Sequence, residues 1–98
     1  MKCVNIESLF SAISGSALTV CAVTHDYVAG FTTTAAKCAW SDNDLIISAA
    51  ESRSYIAIDK TELLYIEKSA CLDAVEYEIH TTSSTITIDV FKKGGEQV

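Results

Sequence analysis

The chain has no proline and only four glycines among its 98 residues. Neither residue is dense enough to build a hinge or linker before the closing GGEQV, so one domain over residues 1–93 is expected, with a fraying tail at 94–98. No apolar run approaches the roughly 18 residues that span a bilayer, and Met1-Lys2-Cys3 lacks the regions of a signal peptide. A cytoplasmic protein is the expectation. Cys3, Cys21, Cys38 and Cys71 are widely spaced with no C-x-x-C pair, and His25 and His80 have no paired spacing with them. That excludes a zinc motif of ordinary spacing, and the cysteines read as reduced structural thiols. A phosphate loop, a dinucleotide fingerprint and a nucleophile elbow are all missing, so neither cofactor nor metal is expected.

Basic residues are also scarce, 7 against 13 acidic ones, for a net charge of −6. This balance argues against a broad electrostatic footprint for nucleic acid or an anionic membrane, and fits a basic protein partner. What is abundant is apolar side chain, 49% of the total, which is ample for a core and rules out a disordered chain.

The N-terminus signals a short helix. Asn5 is a good N-cap, Val4 and Leu9 have staple spacing, Ile6, Leu9, Phe10 and Ile13 form one apolar stripe, and Gly15 suits a left-handed stop. ALTVCAVT (17–24) and Tyr27–Thr33 read as strands about a His25-Asp26 turn, with Gly30 at a bend or bulge. Ser41-Asp42-Asn43-Asp44 is a turn. Leu45–Ala50 and Tyr55–Lys60 are then expected to form a hairpin about Glu51–Ser54, with Ala50 opposite Tyr55 and Ile47 opposite Ile58. One face of that hairpin carries Leu45, Ile47, Ala49, Ile56 and Ile58. The other, with Ile46, Ser48, Ala50, Tyr55 and Ala57, is too apolar for free water, so another part of the chain or a partner should cover it; the helix stripe is expected to dock either there or on an open barrel end. Asp59–Glu62 fits a single 3-10 turn before a strand at Leu63–Lys68.

Strand, one helical turn, strand is how SH3 and Sm-like barrels join their last two strands, and YIAIDKTELLYIEK resembles them. A leading helix, LTVCAV, YVAGF with its internal glycine, and LIISAA follow the order of an Sm-like domain over roughly residues 4–68. The segment from Gly30 to Asp42 is longer than that pattern, and the Arg-Gly-type motif of an RNA pocket is missing. The fold expected is mainly β (α+β): a small bent antiparallel sheet or SH3/Sm-like barrel with one N-terminal helix and an extra C-terminal hairpin.

That hairpin is the clearest in the chain. AVEYEIH and TITIDV alternate about Thr81–Ser84, placing Val75 with Val90, Tyr77 with Ile88 and Ile79 with Ile86 on the buried face. Glu76 then faces Asp89, Glu78 faces Thr87 and His80 faces Thr85 on an acidic outer face, which Lys68, Lys92 or Lys93 could ease. Cys21 with His25 and Cys71 with His80 are the thiol and base combinations considered; the first pair cannot touch along an extended strand, and the second could meet only by a fold-back that the pattern does not predict. Tyr27, Trp40, Tyr55 and Tyr65 would make a base-stacking platform, yet they have little cationic support. No residue set recommends a reaction, and an enzyme is not expected. The first functional reading is a small acidic, non-catalytic protein-interaction module that binds through Glu76, Glu78 and Asp89, or through Ile46 and Tyr55. An inhibitor or decoy of a nucleic-acid-handling protein, of the type phages and mobile elements make, is one form of it. The alternative is an Sm-like oligomeric RNA-binding subunit, and edge strands make homo-oligomers compatible with either.

Overall fold

The computed structural model describes residues 2–26 and 28–91. Its elements in order are β1 (Lys2–Val4), α1 (Ile6–Ile13), β2 (Leu18–Thr24), β3 (Val28–Thr33), β4 (Ala36–Ser41), β5 (Asp44–Ala49), β6 (Tyr55–Asp59), a 3-10 turn (Lys60–Glu62), β7 (Leu63–Ala70), β8 (Ala74–Thr81) and β9 (Ser84–Phe91). The chain is mainly β, and no helix among the described residues is long and apolar enough to cross a membrane. The expected fraying of 94–98 falls outside these residues.

Two antiparallel sheets form, six strands in the order β1-β7-β8-β9-β2-β3 and three in the order β4-β5-β6. No barrel closes. The chain leaves the large sheet at Thr33, turns at Thr34-Ala35 and starts the small sheet at Ala36. It returns through the 3-10 turn, so β3 and β6 each end a sheet instead of pairing with each other. The C-terminal hairpin is not an addition. β8 and β9 lie at the centre of the large sheet, between β7 and β2, and the residue pairs expected within the hairpin form as read.

Period-two alternation explains the core. The inner face of the large sheet supplies Leu18, Val20, Ile66, Tyr77, Ile79, Ile86 and Ile88; the small sheet supplies Ala36, Leu45, Ile47 and Ile58; the helix stripe adds Ile6, Leu9 and Ile13. All are buried. The helix begins as its sequence dictates, with Ser8 N donating to Asn5 Oδ1 at 2.8 Å, and Gly15 takes φ 80° just beyond it. It does not cover the outer face of the small sheet. Phe10 stacks instead on Trp40 of β4, centroids 6.0 Å apart, and α1 closes the core from inside.

The central hairpin forms two residues out of the expected register. Ser48, not Ala50, faces Tyr55, and Ile47 faces Ile56. A shift of two keeps every side chain on its own face, so the core face survives while the loop lengthens. Glu51 is the reason. Its carboxylate turns back to accept from the Thr33 hydroxyl, from Thr34 N at 2.9 Å and from Thr34 Oγ1 at 3.0 Å, so it cannot also serve a tight four-residue loop. Gly30 pairs with Cys21 on β2, and a Cβ there would run into the Val20 carbonyl, which is the close approach its residue type serves.

Candidate binding face

The outer face of the large sheet is built by the residues that alternate with the core. Register places them in rows. One row runs Tyr65, His80, Thr85, Val23, Val28; the next runs Cys3, Glu67, Glu78, Thr87, Cys21, Gly30; the third runs Ser69, Glu76, Asp89, Thr19, Thr32. Four carboxylates therefore sit together, Glu67 opposite Glu78 and Glu76 opposite Asp89. No lysine or arginine stands in these rows. Lys68 projects from the opposite face, its Nζ 6.0 Å from the centre of the Tyr77 ring, so it does not ease the acidic pairs as expected, and Lys92 and Lys93 lie outside the described residues.

The electrostatic cost shows at Glu76. Partial burial, then the charge of Asp89 and lastly that of Glu78 push its carboxyl above the usual range. The sign follows directly. A carboxylate with a raised folded-state pKa destabilises the fold when ionised, fully so above that pKa, and the penalty disappears as falling pH protonates it.

At the β7 end of the face one side chain is held closely by its neighbours. His80 is not a plain surface residue. Its ring stacks on Tyr65, centroids 4.3 Å apart and planes 21° apart, and its side chain keeps only 21% of its exposure. Nε2 lies 2.7 Å from Glu78 Oε1 and 3.5 Å from Glu67 Oε1. The nearer contact has the length of a hydrogen bond but not the geometry of one, and Nε2 is buried without a hydrogen-bond partner. The donor atoms of Glu67, Glu78 and His80 all lie within 4.8 Å of one another.

Family models, curated proteins and solved structures give no match to this chain.

The remaining sequence candidates scatter. Ile46 is half-buried and Tyr55 is 67% exposed on the small sheet's outer face, remote from the acidic rows by fold. Lys37, Ser48, Arg53 and Tyr55 there border a shallow depression of about 570 Å³. Cys71 lies in the turn before β8 and His80 near that strand's far end, roughly 20 Å or more away by the rise of a strand. Cys21 is half-buried on β2, across from Thr87 of β9, and His25 follows in the turn. Among the described residues neither of these thiol and base pairs is assembled. The aromatic platform is not assembled either. Trp40 serves Phe10, Tyr65 serves His80, Tyr55 is on the other sheet, and Tyr27 lies outside the described residues. Glu67 is the acidic residue that sequence reasoning missed. The signal was present: Asp73 marks a turn, and folding Leu63–Ala70 back on Ala74–Thr81 brings Glu67 opposite Glu78.

Proposed function

We propose that this protein is a small, non-catalytic binding module that offers the open acidic face of its six-stranded sheet to a basic protein surface. One observation carries the reading: Glu67, Glu76, Glu78 and Asp89 share that face, and among the described residues no lysine or arginine stands in their rows. Like charges held directly opposite on a sheet cost stability, and a cationic partner offsets that cost on binding. An inhibitor or decoy of a nucleic-acid-handling protein is one form this chemistry takes, since such proteins carry basic surfaces. A reducing cytoplasm suits four cysteines that are all thiols.

The test compares affinity capture by the wild type with capture by the triple variant Glu76→Gln, Glu78→Gln, Asp89→Asn, followed by titration of each captured protein in solution. Basic proteins held by the wild type, released by moderate salt and lost with the variant are expected. Equal binding by both forms would overturn the reading. Light scattering and absorbance at 260 nm on the same preparation separate it from the Sm-like alternative, which requires a ring-sized assembly carrying RNA.

A further inference from the structure

We propose that Glu67, Glu78 and His80 form a binding site for one divalent transition-metal ion of the zinc type. The inference stands apart from the partner reading, because it rests on the geometry of three side chains. Register on two adjacent strands brings them together: Glu67 on β7 faces Glu78 on β8, and His80 follows two residues later on the same face, opposite Tyr65. The stacked Tyr65 ring fixes the plane of the imidazole. Nε2 lies 3.5 Å from the Glu67 carboxylate and 2.7 Å from that of Glu78 as a buried atom with no hydrogen-bond partner.

The two His80 separations are compatible with a shared ion. Bonds of about 2.0–2.2 Å from zinc to nitrogen or oxygen put two ligand atoms about 3.4 Å apart at a tetrahedral angle and about 2.9 Å apart at a right angle. The Nε2 separations from Glu67 and Glu78, 3.5 and 2.7 Å, lie close to those two values. Two facing carboxylates beside an imidazole also favour positive charge between them, and a divalent ion supplies it. One imidazole with two carboxylates suits zinc and its neighbours, whereas calcium takes six to eight oxygens, and magnesium an octahedral shell that it prefers to fill largely with water. Three protein ligands leave a position for water.

Calorimetric titration of Zn²⁺ tests this in a background carrying Cys3→Ser and Cys71→Ser, which removes the exposed thiols. One ion per chain is expected, with affinity reduced about tenfold or more in both His80→Gln and Glu67→Gln, and unchanged in Glu7→Gln. Co²⁺ should give visible bands without the near-ultraviolet absorption of a thiolate ligand. Far-UV circular dichroism accompanies each variant. Should His80→Gln misfold, Glu67→Gln decides, since its side chain is a quarter exposed. The absence of a saturable Zn²⁺ site would overturn the proposal, as would unchanged affinity in the folded variants or a thiolate-type Co²⁺ spectrum.

Discussion

Glu51 shows how one exposed side chain can settle the shape of a loop. Bonds from the Thr33 hydroxyl, then Thr34 N, and in lesser part the Thr34 hydroxyl favour its charged form and hold its carboxyl down to about 2, from an ordinary 4.5. Thr33 is itself buried, and its oxygen also accepts from Ala35 N at 3.2 Å, so the clamp reaches into the corner between the sheets. The folded-state pKa is lower than the unfolded one. The stabilisation is therefore complete above about pH 4.5 and is lost as pH falls toward 2. Glu51→Gln should melt below the wild type at pH 7, and the two melting temperatures should converge across that acid window. Thermal unfolding followed by circular dichroism at stepped pH checks it. The same residue limited what the sequence could disclose. ESRS reads locally as a hairpin loop, and only the tertiary bond to Thr33-Thr34 tells that pairing on β5 stops two residues earlier, at Ser48.

Elements were legible wherever their determinants are local. The C-terminal hairpin was readable residue by residue, because its alternation is strict and its turn is short. The helix was readable because cap, stripe and stop all sit within a few residues of each other. β1 was not, since three residues make a strand only when a partner stands beside them, and Val4 to Ile66 is a long-range pairing. Nor was the destination of the helix visible: its stripe fits any apolar surface, and Trp40 and the inner face of the small sheet took it. Leu9 is fully buried in that contact. Leu9→Ala should cost about 3 kcal/mol, the usual toll of a large-to-small change in a packed core, while Ser11→Ala on the exposed side stays within about 0.5 kcal/mol. Urea unfolding with an unchanged slope would measure both.

Across the whole molecule the charge is uneven, and the candidate site follows from that unevenness. The sequence named Glu76, Glu78 and Asp89, yet it could not show Glu67 beside them, because strand neighbours are set by the fold and not by order along the chain. Their mutual repulsion is screened by salt. At low ionic strength Glu76→Gln should melt higher than the wild type by about 2–5 °C, on the scale of one like-charge cross-strand pair in a domain of this size. Added sodium chloride should narrow the gap, and so should acid that protonates Glu76. A gap that persists in high salt would mean that Glu76 acts through packing rather than charge.

The position of β8 and β9 also sets a schedule for synthesis. β2 emerges early and can pair with β3, but its other neighbour in the large sheet is β9, with Leu18 against Val90. Until that last hairpin is available, β2 and β7 have bare edges, and the apolar faces of the sheet have no centre on which to close. A ribosome can release the helix, the small sheet and the β2-β3 hairpin as formed pieces. The large sheet must wait, and folding should be slow for so small a domain because its decisive pairings are distant in sequence. For that interval the chain depends on its negative charge, and on any chaperone at hand, to keep the waiting edges from finding each other first.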